Sequence, residues 1–159
     1  MHKINPFLWF EKDAEEAVEF YVSLFDDAKI TETTRYLEDG PGPAGEVMTM
    51  AFTIADQEFI ALNGGPQPGY TFSPAISFLV NCETQEEVDR LWDRLSEGGE
   101  QQQCGWLTDR YGVTWQIVPT ILGEMLSDRD PERAQRVMQV MLKMNKIEIK
   151  PLQDAYNHS

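Results

Sequence analysis

The feature that most constrains the fold is an internal repeat, seen when residue n is laid against residue n+71. Phe7, Leu8 and Trp9 then fall on Phe78, Leu79 and Val80, and Glu15, Glu16 and Ala17 on Glu86, Glu87 and Val88. Phe20, Tyr21 and Leu24 fall on Leu91, Trp92 and Leu95. One offset that matches apolar positions through two kinds of element argues for a duplicated supersecondary unit. Each copy opens with a short apolar run, residues 4–10 and 75–81, of the kind a buried strand shows. Each then enters a helix, where Asp13 with Glu16 and Thr84 with Glu87 have the N-cap and N3 spacing of a capping box. Ala17, Phe20, Tyr21 and Leu24 make one apolar stripe at helical spacing, repeated by Val88, Leu91, Trp92 and Leu95. Gly98-Gly99 ends the second helix.

Residues 29–37, 47–54 and 58–62 read as strands, with a turn at Asp56-Gln57 and an exposed Gly/Pro loop over 39–45. The second copy continues with 101–108 and 113–119, joined at 109–112. The order is β-α-β-β-β followed by β-α-β-β with room for one more short strand. It predicts an α+β fold with helices packed on curved antiparallel sheets. Modules over 4–65 and 74–120 and a helical tail over 121–159 make up a single domain, 1–159. In the tail, Asp130-Pro131 supplies an N-cap and a Pro at N1. Ala134, Val137, Met138, Met141 and Leu142 form its apolar stripe, and Pro151 is expected to stop regular structure after Ile149. Met125, Met138, Met141 and Met144 read as filler of a core or dimer contact.

Charge removes whole classes of partner. Thirteen Lys and Arg against 27 Asp and Glu give a net charge of −14, which repels phosphate backbones and anionic membranes. Neither nucleic acid nor a membrane is an expected partner. No apolar run approaches the roughly 20 residues that span a bilayer. The first residues lack the small-residue cleavage site of a secretory signal. Cys82 and Cys104 have neither CxxC nor zinc-ligand spacing, so two buried free thiols in a reducing cytoplasm are expected.

FYVSLF in the first helix, FIALNGG, CGWLTDRYGVTWQIVP and the tail MLKMNKIEIKPLQDAY carry a resemblance over nearly the whole chain. With the order of elements, they resemble the PhnB-like branch of the vicinal oxygen chelate (glyoxalase/bleomycin-resistance) superfamily. That branch often bears the label demethylubiquinone methyltransferase-like. The resemblance implies two βαβββ modules forming a cupped, mostly antiparallel sheet around a pocket, commonly as a homodimer. It implies no particular reaction, because the superfamily contains lyases, isomerases, dioxygenases and pure binding proteins. Many of its members hold a divalent ion with His and Glu, which leave positions open for substrate oxygens. Carried over, the four ligand positions fall at Pro6, Asn63, Ser77 and Gln116, none of them a His or a carboxylate. No metal and no other cofactor is therefore expected, and these positions are read as lining a metal-free pocket.

Other chemistries fare less well. Methyl transfer of the doubly wound type needs a Gly-rich turn onto a helix N-terminus, whereas Gly40 to Gly45 joins two strands and Gly64-Gly65 runs into Pro66. Cys104 is an attractive nucleophile only if folding brings it a base; a buried structural thiol is preferred. Asp109, Glu46, Glu58 and Asp56 are candidate acids or bases, but an Asp at a turn more commonly caps its own backbone. What remains is recognition by an apolar pocket. Pro6, Leu8 and Phe10 are placed on its face, with Phe7 and Trp9 toward the helices; Cys104, Trp106 and Trp115 join them, with Asn63, Ser77 and Gln116 as uncharged polar groups. Such a lining suits a neutral or aromatic small molecule. The expectation is a cytoplasmic, homodimeric small-molecule-binding protein with no assigned catalytic residue. A metal-dependent glyoxalase-type lyase or isomerase, and a structural or interaction domain, are the alternatives.

Overall fold

The computed structural model describes residues 2–158 and divides into two compact units, one ending at Thr71 and the other beginning at Phe72. The first contains β1 (Phe7–Phe10), α1 (Ala14–Ser23), β2 (Ala28–Arg35), β3 (Val47–Ile54) and β4 (Gln57–Asn63). The second opens with β5 (Phe78–Cys82), α2 (Gln85–Ser96), β6 (Glu100–Gln101), β7 (Trp106–Thr108) and β8 (Thr114–Pro119). Their sheets have the same topology, β1-β4-β3-β2 and β5-β8-β7-β6. In each, the opening strand lies parallel to the closing one and the other pairings are antiparallel. A parallel neighbour needs a crossover, and the helix with the two intervening strands supplies it. The chain is thus an α+β protein of two βαβββ modules.

The faces of the strands correct the expectation for the first module. Leu8 and Phe10 are buried, while Phe7 is 56% and Trp9 38% exposed. In register, Phe10 lies beside Asn63, whose Oδ1 accepts the first N–H of α1 at 2.8 Å, so Phe10 and Leu8 point to the helix side. In β5, by contrast, Val80 and Cys82 lie beside Ile117 and Pro119 on the buried side, and Leu79 is 54% exposed. The two helices do repeat at 71: Ala17, Tyr21 and Leu24 are buried, as are Val88, Trp92 and Leu95. The opening strands repeat at 72, Leu8 answering Val80 and Phe10 answering Cys82. The first copy carries one more residue between strand and helix, and a one-residue slip moves every side chain to the other face.

Local signals fared unevenly. Thr84 Oγ1 accepts from the Glu87 N–H at 3.2 Å, and Glu87 Oε1 accepts from the Glu83 N–H at 2.8 Å. Asp13 makes no side-chain cap bond, and Asn63 satisfies that helix end instead. The β3–β4 turn lies one residue earlier than expected, with Ala55 and Asp56 at φ 48° and 69° and Ile54 opposite Gln57. Positive φ at both central residues matches the twist of a two-residue hairpin. After α2, Gly98 takes φ 76°, and a Cβ on Gly99 would stand 2.0 Å from the Thr108 carbonyl oxygen.

Among its described residues the tail holds three helices rather than one: α3 (Thr120–Leu126), α4 (Pro131–Met141) and α5 (Ile149–Asn157). Leu122, Met125, Val137, Ile147 and Leu152 form a small core of their own, with Met141 and Met144 packed against it. Pro151 does not stop the chain, because it sits in the first turn of α5, where a missing N–H leaves no helical bond unmade. Gln85 fastens the tail to α2: its Nε2 donates to the Ile147 carbonyl at 3.0 Å and its Oε1 accepts from the Ile149 N–H at 2.7 Å.

Candidate functional site: the outward face of the second sheet

Strand pairing assembles a polar patch on the face of the second sheet turned away from α2. Leu79, Gln116 and Trp106 lie side by side across β5, β8 and β7. Gln116 Nε2 donates to Ser77 Oγ at 2.9 Å, so the two residues that the sequence placed at ligand positions in this module do meet. That bond leaves the Ser77 O–H free to donate and Gln116 Oε1 free to accept. Thr114, two residues before Gln116 on β8, belongs to the same face and pairs with Thr108. It is 1% exposed, and its hydroxyl has no partner. Val118, two residues beyond Gln116, packs against the tail core, so the tail closes one end of this face. Glu100 lies opposite Thr108 on the edge strand β6.

The other expected pocket residues have different roles. Trp115, adjacent to Gln116, necessarily points to the opposite side. It is 3% exposed, its Nε1 donates to Asp109 Oδ2 at 2.9 Å, and its ring meets Phe78 edge-on at 5.3 Å. Cys104 lies in a turn at φ 60°, not on a strand, and its thiol faces the Met141 carbonyl at 3.7 Å. Gly105 forces that turn: at φ 84°, a Cβ there would stand 2.8 Å from the Ile117 carbonyl oxygen. Leu8 and Phe10 belong to the first unit's core, and Pro6, just before β1, accepts the Ile60 N–H on its carbonyl at 3.0 Å. Asn63 is a brace. Besides the Ala14 N–H, its Nδ2 donates to the Val47 carbonyl at 3.1 Å, and its own carbonyl accepts from the Tyr36 hydroxyl. It borders a cavity of about 320 Å³ between Tyr36, the 41–43 loop and Gly64-Gly65.

Asp109, the candidate acid or base at the turn, is spent on structure. One carboxylate oxygen accepts from the Tyr111 and Val113 N–H groups at 2.8 and 3.0 Å, the other from Trp115. Burial drives the Cys82 thiol up to about 12, with Glu87 adding to the effect. Among the described residues no three His, Cys, Asp or Glu side chains gather as a metal would require. Ser77 and Gln116 do not fit a dication either. They offer only a hydroxyl and an amide oxygen without negative charge, a weaker set than the His and carboxylate ligands that hold such an ion.

This duplicated βαβββ architecture is that of a glyoxalase-fold protein of the vicinal oxygen chelate superfamily. Residues 2–118 match the profile of the family described as 3-demethylubiquinone-9 3-methyltransferase. A PhnB protein from Bacillus cereus, itself described as a putative 3-demethylubiquinone-9 3-methyltransferase, is 41% identical. The match covers 75% of this chain and 100% of that one, with a TM-score of 0.70. The chain belongs to this PhnB-like family. Protein PA1353 from Pseudomonas aeruginosa has the same fold at 24% identity and TM-score 0.59, over 75% of this chain and 98% of that one. So does the fosfomycin resistance protein FosX from Listeria monocytogenes, at 18% identity and TM-score 0.55, over 80% and 98%. A second FosX structure, at 19% identity and TM-score 0.51 over 74% and 92%, is of a complex with Mn(II) and sulfate. No curated protein sequence matches significantly.

The activity in the family's description finds no support in the fold. Among the described residues, parallel pairing is confined to β1 with β4 and β5 with β8, and the Gly-rich stretches at 40–45 and 64–65 lead to a strand and to Pro66, not onto a helix. No helix among the described residues is long and apolar enough to cross a membrane.

Proposed function

We propose that the chain binds a small organic molecule on the outward face of its second sheet and does so without a divalent ion. The carrying observation is the Gln116–Ser77 bond at 2.9 Å, which places neutral hydrogen-bonding groups beside Trp106 and Leu79. An apolar wall with a few convergent polar groups is the usual make-up of a small-molecule site. No catalytic residue is assigned, because the buried carboxylate near this region, Asp109, has its oxygens engaged. The proposal includes a cytoplasmic setting, in keeping with two free cysteines, and a homodimer, which sedimentation velocity checks.

The test is a thermal-shift screen of a metabolite library in the presence of a chelator. A ligand at 100 times its Kd adds about 2.7 kcal/mol, a rise of several degrees for a chain this size. Gln116→Leu and Trp106→Ala should each erase the response. Silence across the library, or hits that require an added dication, would favour the interaction-domain or metal-dependent reading.

A further inference from the structure

We infer that the groove between α4 and α5 is an interaction surface, and that its occupant is an acidic segment of a partner protein. Residues 133–150 carry Arg133, Arg136, Lys143, Lys146 and Lys150 against one acid, Glu148, in a chain whose net charge is −14. So acidic a chain repels an acidic partner in general, and a local run of cations steers such a partner to one place. Folding turns part of that run into a groove of about 540 Å³. Half-buried Val140, Pro151 and Ala155 give it apolar surface, and Arg136, Lys143 and His158 line it with N–H donors. Arg136 Nε donates to the Ala155 carbonyl at 2.8 Å and its Nη2 to the Tyr156 carbonyl at 3.3 Å. Both acceptors are neutral, so the guanidinium is fixed between the helices with its charge uncancelled. The carboxylate lining the groove, Asp154, is paired with Lys150 at 3.2 Å. The groove is open to solvent rather than enclosed, which suits a chain segment laid along two helices better than a small molecule. It lies beyond residues 2–118, the stretch matched by the family profile, and does not depend on what the second sheet binds.

The test is calorimetric titration of the full chain with three probes: a short capped peptide of Glu punctuated by Leu, its Lys-for-Glu counterpart, and free glutarate. The acidic peptide should bind saturably and more weakly as salt is added, and the other two should not bind. Lys143→Glu should weaken the acidic peptide by about tenfold, whereas Lys29→Glu, the same charge reversal on the exposed edge strand β2, should change little. Gln139→Glu adds a negative charge to the groove without removing a cation, and should weaken the peptide too if Lys143→Glu proves poorly folded. Equal loss with Lys29→Glu, equal binding of the Lys peptide, or no saturable heat from the acidic one overturns the inference. Glutarate that binds as well as the peptide assigns the groove to small anions and overturns it as well. So does a Lys143→Glu variant whose own oligomer dissociates in sedimentation velocity, for then a second copy fills the groove.

Discussion

At the scale of single residues, the chemistry of Asp109 is settled by what it accepts. Three N–H groups converge on a carboxylate that is 2% exposed. In Asp109→Asn an NH2 must face one of those donors, which costs about 1–3 kcal/mol. Trp115→Phe takes the indole N–H away from Asp109 and leaves a smaller ring. Because the two partners share one bond, the double variant should lose less than the sum of the singles, with a coupling of about 0.5–3 kcal/mol by urea denaturation. Strict additivity would mean that the Trp115–Asp109 bond carries no weight. Cys82 makes a second residue-level prediction. A thiol at about 12 carries almost no thiolate at pH 8, so native Cys104→Ser protein should react with Ellman's reagent only on unfolding. Rapid labelling of that variant would contradict the burial.

At the scale of elements, several signals were legible because they are local. The capping box at Thr84, the Pro after Asp130 and both helical stripes lie within a few residues of the bonds they make. The cap of α1 was not legible, because Asn63 reaches it from β4, 49 residues away, and no spacing rule connects them. Asp13→Ala should therefore be nearly neutral, whereas Asn63→Ala should cost about 2 kcal/mol by leaving the Ala14 N–H and the Val47 carbonyl unpaired. The reverse order in chemical denaturation would restore the capping box at Asp13.

The tail gives a pH dependence. The Tyr156 hydroxyl, with the Asp130 N–H, holds the Asp128 carboxyl below its usual range, and the same bond pushes the Tyr156 phenol up. For the carboxyl, the stabilisation is complete above about pH 4 and is lost as pH falls through the lowered folded-state value. For the phenol, it is complete below about pH 10 and is lost as pH rises through the raised value. Tyr156→Phe should flatten both limbs of the melting-temperature profile. An unchanged profile would show that the pair does not hold α5 to the α3–α4 connection.

At the scale of the whole molecule, the duplication was legible and the facing of one copy was not. Helical stripes repeat every three or four residues and tolerate a shift elsewhere, so Ala17 and Val88 aligned correctly. Strand facing has a period of two, and the extra residue before α1 inverted Leu8 and Phe10 without disturbing hydrophobicity. In the fold Ser77 and Gln116 bond to each other and Trp106 shares their face, while Leu8 and Phe10 are core, Asn63 is a brace and Trp115 faces the opposite side. The tail, beyond the stretch matched by the family profile, contributes what neither module could: a packed end for that face at Val118.

The account stands most directly on the metal content of tag-free protein dialysed against excess Mn(II) and then against buffer, measured by plasma mass spectrometry. The wild type should retain far less than one ion per chain, while Ser77→His with Gln116→Glu should retain more than the wild type. A stoichiometric ion in the wild type, lost when Ser77 or Gln116 is replaced by an apolar residue, would contradict it.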